Sequence, residues 1–172
     1  MVRSDLLAEL DLPHSGIVQF EESVGLPCGF DRTPPSPSDA EPPVGRDELW
    51  YFLAEIALRR LLNRVSHVIY SSSSTTSTSL LEPVVAELDY QLAQWYDNLP
   101  IPIQFPHGRV PFNNPVQSVL RLRYFACRTI IFRPYILAVL NNELAANDAT
   151  VQENCRKCLE ASIRQLENIS AQ

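Results

Sequence analysis

Two cysteines three positions apart, Cys155 and Cys158, form the motif in this sequence closest to a reactive or metal-binding site. A Cys-x-x-Cys pair can be half of a zinc site or a redox-active dithiol. A zinc site needs further ligands, and the chain contains no second Cys-x-x-Cys motif. On a helix both residues share the apolar face, where a cysteine usually behaves as a small hydrophobic residue. We therefore expect neither a metal site nor a redox pair.

The three histidines offer no catalytic arrangement. His14, His67 and His107 lie in different segments, and none has metal-ligand spacing to another histidine. The sequence lacks Gly-x-Ser-x-Gly, His-Glu-x-x-His and any glycine-rich phosphate loop, and it contains only 5 glycines. An enzyme is not expected without a nucleophile, a base and a group that orients the base. We assign no catalytic, metal-ligating or DNA-binding residue, no cofactor, and no residue to a ligand.

Arginines cluster on two predicted helices and allow two interpretations. Grouped guanidinium groups can bind an anionic ligand or partner. Alternatively, they pair with carboxylates of neighbouring helices, because a buried arginine must be compensated. The chain has 20 Asp and Glu residues against 14 Lys and Arg, so we favour the structural role. The arginines are Arg59, Arg60, Arg64, Arg121, Arg123, Arg128 and Arg133, and the expected partners include Glu55, Glu82, Glu87 and Glu160.

Charge and hydropathy argue against two further classes of function. The formal net charge is −6 and the pI is about 5.0. Because affinity for nucleic acid depends mainly on Lys and Arg, this chain alone should bind DNA poorly. The most apolar stretch, 124–140, is interrupted by Arg128, Arg133 and Pro134, so no membrane span is expected. With no signal peptide before its four cysteines, the chain is expected to be soluble and intracellular.

Helical periodicity and capping residues predict four helices, and hence an all-α fold. Pro134 is expected to kink the third helix, because proline removes an internal hydrogen bond. The predicted helices run from after Asp47 to about Tyr70, from Ser79 to Leu99, from Pro115 behind an Asn114 cap, and from Asp148 or Thr150 towards the end of the chain.

Connectors rich in proline, or in serine and threonine, separate these helices. Residues 13–46 are predicted to form an extended Pro-rich connector after a short Ser4–Asp11 helix, and residues 71–79 a flexible Ser/Thr loop. The architecture expected is an irregular multi-helix bundle within one domain of 172 residues.

The apolar faces of the helices predict the core. The second helix has the clearest amphipathic stripe, from Leu81 to Trp95, and Trp95 is predicted to anchor it in the core. The first and third helices are apolar on more than one side, so we expect them to be covered on several sides. The fourth helix is predicted to bury one face, which contains Val151, Cys155, Cys158, Leu159, Ser162, Leu166 and Ile169.

Four segments resemble the fungal-specific transcription factor domain, the helical regulatory region of fungal binuclear zinc-cluster transcription factors. Their order and spacing together extend over nearly the whole chain. They are Leu6–Pro13 with Ser15-Gly16-Ile17 after it, Trp50–Arg64 (WYFLAEIALRRLLNR), Gln91–Pro100 (QLAQWYDNLP) and Arg121–Pro134 (RLRYFACRTIIFRP).

The resemblance implies an all-α regulatory domain in the nucleus. In the family, this domain usually follows a cluster of six cysteines that holds two zinc ions and inserts a helix into the major groove. This chain has 4 cysteines, none in that repeated spacing, so the zinc cluster is absent and zinc is expected only in the family's N-terminal cluster. The family domain also extends upstream of the Leu6 segment. Residues 1–172 therefore resemble its C-terminal portion.

Two non-catalytic hypotheses follow from the resemblance. In the first, the chain is the regulatory portion of a fungal zinc-cluster-type transcription factor. Its partners would be upstream helices of the same or a homologous regulator, or a small-molecule effector, and it would reach DNA only through a separate zinc-cluster module. In the second, the chain is a stand-alone helical interaction module or a degenerate gene fragment. An incomplete domain should leave apolar surface exposed, so we expect the isolated chain to self-associate or to bind hydrophobic dyes.

Overall fold

The protein has an all-α fold, as its sequence predicts. The computed structural model describes residues 46–70, 78–108 and 114–170, and within these ranges it contains four α-helices and no strand. The Ser4–Asp11 helix, the connector up to residue 45 and residues 71–77 of the Ser/Thr loop lie outside the described residues. The helices are α1 (Arg46–Val65), α2 (Thr78–Asp97), α3 (Pro115–Asn141) and α4 (Ala149–Ser170).

The caps of the last two helices follow from side-chain hydrogen bonds. At α3 the prediction is confirmed, since Asn114 Oδ1 accepts hydrogen bonds from the backbone N–H groups of Val116 at 2.9 Å and Gln117 at 3.4 Å. At α4 the cap is Asp148, whose Oδ1 accepts from the N–H groups of Thr150 at 2.7 Å and Val151 at 3.2 Å. Thr150 is therefore a residue of the first turn, because Asp148 already satisfies the donors there.

The other two helices begin slightly earlier than predicted. Helix α1 begins at Arg46, one residue before the expected cap Asp47, and so shortens the predicted connector 13–46. Helix α2 begins at Thr78, so Ser79 is helical and neither caps the helix nor belongs to the loop predicted over 71–79. The amide groups of a first turn lack intrahelical acceptors whichever residue begins it, so sequence locates a helix start only to within a residue or two.

Helix α3 forms the centre of the fold and contacts each of the other three helices, with its most extensive contact to α4. Its fully buried side chains include Leu120, Ile131 and Phe132, so the predicted burial on several sides is confirmed. Helix α2 contributes Val85, Leu88 and Leu92, the central residues of its predicted stripe. Beyond α2, a 3₁₀ turn at Ile101–Ile103 leads to buried Phe105, and a second spans Glu143–Asn147 before α4.

A hydrogen bond from α1's extension supports α3 at its internal proline. Beyond Val65 the chain continues as a π-helical turn, Ser66–Tyr70, so the helix does reach Tyr70 but widens in its last turn. Helix α3 continues through Pro134, which has no N–H for the carbonyl of residue 130. Tyr70 Oη donates to that carbonyl, Ile130 O, at 2.7 Å. The tyrosine hydroxyl thus replaces the backbone donor that the proline lacks.

This arrangement makes the cost of losing the Tyr70 hydroxyl depend on Pro134. We expect Tyr70→Phe to lower the free energy of unfolding by about 1–3 kcal/mol, because it leaves a carbonyl without its donor. In a Pro134→Ala background, the amide at position 134 can donate instead, so the same change should cost less. Denaturant unfolding of the four proteins in this cycle measures the difference, with Tyr90→Phe as the control at an exposed tyrosine. Equal costs in the two backgrounds would contradict the replacement.

Polar side chains join α3 to α4 within their apolar contact. Asn168 is 5% exposed, and its Nδ2 donates to Ser118 O at 2.8 Å. Further along the two helices, the hydroxyl groups of Thr129 and Ser162 lie 3.3 Å apart. Because buried polar groups are stable only when they are paired, these bonds fix the rotation of α4 against α3.

Candidate interaction site

The buried face of α4 is not the one predicted, and an apolar face of this helix is left exposed. Val151 and Cys158 are buried as expected, but Asn154, Ala161 and Asn168 complete the buried stripe. Three residues predicted to lie in the core are more than half exposed: Leu159 at 56%, Leu166 at 63% and Ile169 at 52%. The prediction was wrong there because it ranked residues by hydrophobicity, whereas the asparagines are buried through hydrogen bonds such as that from Asn168 to α3.

Leu159, Ile163 and Leu166 form what we call the α4 apolar face. Ile163 is 50% exposed, so each of the three side chains exposes half or more of its surface. Their spacing of four and then three residues places them along one line of the helix, as in the contact line of paired helices. A groove of about 540 Å³ adjoins this line, and its apolar lining includes Val139, Ala146 and Cys155. The face therefore has both a ridge and a recess into which a partner helix could pack.

Charged residues border the α4 apolar face but largely neutralise one another. Arg156 donates to Glu153 at 2.7 and 2.8 Å and to Glu160 at 3.2 Å, and Arg164 lies 3.5 Å from Glu167. The hydrogen bonds from Arg156 lower the pKa of Glu153, and that pair raises the pKa of Arg156. Surface ion pairs of this kind contribute little to stability. Recognition at this face should therefore depend on apolar packing.

The Cys-x-x-Cys pair lies beside this face in surroundings that fit a structural role. Cys158 is buried, and its Sγ donates to Thr129 O at 3.6 Å, while Cys155 is half-buried. Burial raises the pKa of both thiols, which lowers the fraction of reactive thiolate. Across the described ranges, no three His, Cys, Asp or Glu side chains converge as metal ligands would.

Two of the arginines have the structural role that the sequence predicts. Arg123 on α3 forms an ion pair with Glu55 on α1, as expected for that carboxylate. Arg128 Nε donates to Asp89 Oδ1 on α2 at 3.1 Å, and Asp89 is not among the predicted partners. These contacts tie α3 to α1 and to α2. Of the other expected partners, Glu160 pairs with Arg156 on its own helix.

The arginines of α1 are placed differently. Arg64 Nη1 donates to the amide oxygen of Gln91 on α2 at 2.9 Å. Arg59 and Arg60 are exposed, and no carboxylate of the described residues forms an ion pair with either. The arginines of α1 therefore lie at the surface, and the predicted pairing with carboxylates of neighbouring helices is not seen for them among the described residues.

His107 is placed in an aromatic cluster. Its ring centroid lies 3.8 Å from that of Tyr96 and 5.0 Å from that of Tyr124. Burial lowers its pKa, and the positive charges of Arg128 and Arg121 add to the effect. The described residues provide His107 with no hydrogen-bond partner that could orient it as a base. Of the other histidines, His67 is exposed on the π-helical turn and His14 lies outside the described residues.

The fold and the α4 apolar face define an all-α domain with a surface suited to packing against another helix. None of the helices in the described part of the chain has the apolar length needed to cross a bilayer. In sequence, the chain is similar to a transcription factor. It is 30% identical over 129 residues to the candidate transcription factor ecdB of Aspergillus rugulosus, a match that covers 70% of this chain and 23% of that relative. No family model and no solved structure matches the chain.

Proposed function

We propose that this chain is a regulatory, non-catalytic portion of a fungal zinc-cluster-type transcription factor, acting in the nucleus through contacts with protein or effector. The similarity to ecdB is the observation that carries this conclusion. The acidic net charge of −6 favours a role apart from DNA, which would be reached through a separate zinc-cluster module.

The partner that best fits the α4 apolar face is an amphipathic helix from the upstream part of the same regulator or of a homologous one. The match covers only 23% of ecdB, so most of a protein of that kind lies outside the region that this chain resembles. Helices pack in grooves through apolar residues at spacings of three and four, and Leu159, Ile163 and Leu166 provide such a line. Residues 1–172 would then be the C-terminal part of a larger helical domain.

Self-association of the purified chain tests whether the α4 apolar face is an interface. We expect the unmodified chain to form larger species with increasing concentration and to bind a hydrophobic dye, because Leu159, Ile163 and Leu166 each expose half or more of their surface to water. The Leu159→Gln/Ile163→Gln/Leu166→Gln variant should remain monomeric and bind less dye. The matched control, Leu80→Gln/Tyr90→Gln/Ile101→Gln, removes three exposed apolar residues from other positions and should behave like the unmodified chain. If the unmodified chain stays a monodisperse monomer and binds no dye, this assignment is contradicted.

A reporter assay tests the regulatory function itself. The chain would be fused to an unrelated DNA-binding domain, and expression from a promoter with its binding sites would be measured in fungal cells. We expect expression to differ from that given by the DNA-binding domain alone, and the triple glutamine variant of the α4 apolar face to remove the difference. Identical expression from the fusion and the bare DNA-binding domain, at equal protein levels, would count against a regulatory role.

A further inference from the structure

A second recess lies between α1 and α2, away from the α4 apolar face. It has a volume of about 560 Å³, within the range of roughly 300–1,000 Å³ common for small-molecule sites. Its apolar lining includes Leu53 and Leu61 from α1, Trp95 from the end of α2, and Leu99 and Pro100 just beyond that helix. We call it the α1–α2 groove. Its size and lining suit an apolar body larger than a solvent molecule.

Among the described residues, the two charged side chains that line the α1–α2 groove are both arginines. Arg60 and Arg64 are four residues apart, so they occupy the same side of α1, with Cβ atoms about 5–6 Å apart. The opposite wall carries the neutral amides of Gln91, Gln94 and Asn98, and none of the described residues that line the groove is Asp or Glu. A cationic groove in a chain with a net charge of −6 is complementary to an anion.

The guanidinium groups of this groove retain donors for a ligand. Within the described part of the chain, Arg64 donates to Gln91 at 2.9 Å, and the amide of Gln91 in turn donates to Glu87 at 2.7 Å. Among the described residues, Glu87 reaches Arg64 only through the Gln91 amide, so no described carboxylate pairs directly with this positive charge. An arginine has five N–H donors, whose planar arrangement matches both oxygens of a carboxylate.

Two tryptophans provide a surface for the apolar part of such a ligand. Trp50 lines the groove from α1 and is 38% exposed. Trp95 lines it from α2, and its Nε1 donates to Ala54 O at 3.0 Å, which fixes the position of the ring. Because this hydrogen bond already holds the Trp95 ring, less free energy is lost in ordering that side of the groove when a flat apolar body binds.

We propose that the α1–α2 groove binds an organic carboxylate, with an aromatic or aliphatic body against Trp50 and Trp95 and the carboxylate at Arg60 and Arg64. The role of this ligand as an effector rests on the proposed regulatory function, whereas the binding itself does not. A polyphosphate or nucleic acid fits the groove poorly, because its walls offer two cations and a mainly apolar surface.

The proposal is tested by comparing the binding of two probes of the same shape, one with a carboxylate and one with a neutral amide. The indole N–H signals of the chain's 2 tryptophans would be followed by NMR during titration of the full chain with 2-naphthoate and, separately, with neutral 2-naphthamide. We expect both indole signals to shift with saturation by naphthoate, and an affinity at least about tenfold lower for the amide. No saturable shift, or equal affinity for acid and amide, would overturn the proposal.

Arginine variants locate the anion. Arg60→Gln/Arg64→Gln should weaken naphthoate binding by about tenfold or more while leaving the affinity for naphthamide unchanged. The matched control is Arg59→Gln, which removes an exposed arginine from the same helix outside the groove. Unchanged naphthoate affinity in the double variant would contradict a small-carboxylate site. So would a competition experiment in which a peptide of residues 1–13 displaces bound naphthoate and other small carboxylates do not. Because these measurements involve no transcription, failure in the reporter assay with intact binding would overturn the regulatory role alone.

Discussion

We expect Trp95→Ala to lower the free energy of unfolding by about 3 kcal/mol, the lower end of the cost typical of truncating a large aromatic side chain, because Trp95 is half-buried and packs against the core. The ring centroid of Trp95 lies 6.3 Å from that of Tyr124 in a stacked arrangement, and 6.4 Å from that of Phe105. Its Nε1 hydrogen bond to Ala54 O ties α2 to α1. The substitution therefore removes an aromatic contact with the centre of the fold and a link between two helices.

Denaturant unfolding followed by helical circular dichroism measures this cost. Trp95→Phe retains most of the ring packing but loses the N–H donor, so it should destabilise the protein by about 1–3 kcal/mol. The matched control is Trp50→Ala, because Trp50 is the other tryptophan and is 38% exposed; its loss should be clearly smaller. Similar unfolding midpoints for Trp95→Ala and the unmodified chain would show that Trp95 is not a core anchor.

Removing Glu55 should destabilise the protein by about 3 kcal/mol, because its ion pair with Arg123 is largely shielded from water. The Glu55 side chain is 12% exposed and that of Arg123 is 20% exposed. In Glu55→Ala the guanidinium group remains between α1 and α3 without the carboxylate that compensates it. The guanidinium group there is shielded from water and has then lost its ion pair with Glu55.

A double variant separates the charge from the packing. Glu55→Met/Arg123→Met removes both charges and retains apolar volume, so it should be more stable than either single methionine variant. Denaturant unfolding of the four proteins measures the coupling, and losses that simply add would contradict a direct ion pair. Glu153→Ala, in the exposed pair with Arg156, is the control and should produce little measurable change.

Much of the fold could be predicted from the sequence because local patterns determine it. The stripe of Val85, Leu88 and Leu92 is apolar on one side only, so its burial follows from helical periodicity alone. The Asn114 cap is equally local, since its donors lie two and three residues further along the chain. Such features need no knowledge of which helices are neighbours.

The candidate site could not be predicted in the same way, because it depends on contacts between distant residues. Helix α4 has apolar residues on two sides, and the hydrogen bond from Asn168 to Ser118, 50 positions away, contributes to the choice between them. By hydrophobicity alone, Leu159 and Leu166 are better core residues than an asparagine. The α1–α2 groove also depends on contacts between distant residues. Arg60 and Arg64 face amides rather than carboxylates because of the register of α1 against α2.

The hydrogen bond between Tyr70 and the carbonyl of residue 130 also restricts the order in which substitutions can accumulate. A lineage that keeps Pro134 would lose stability on replacing Tyr70 with a residue that lacks a hydroxyl, because no amide at position 134 can take over. If the proline is replaced first, the restored amide makes later loss of the tyrosine hydroxyl nearly neutral. Pro134 therefore restricts which substitutions are tolerated at Tyr70, a residue that lies 60 positions before Ile130 in the chain.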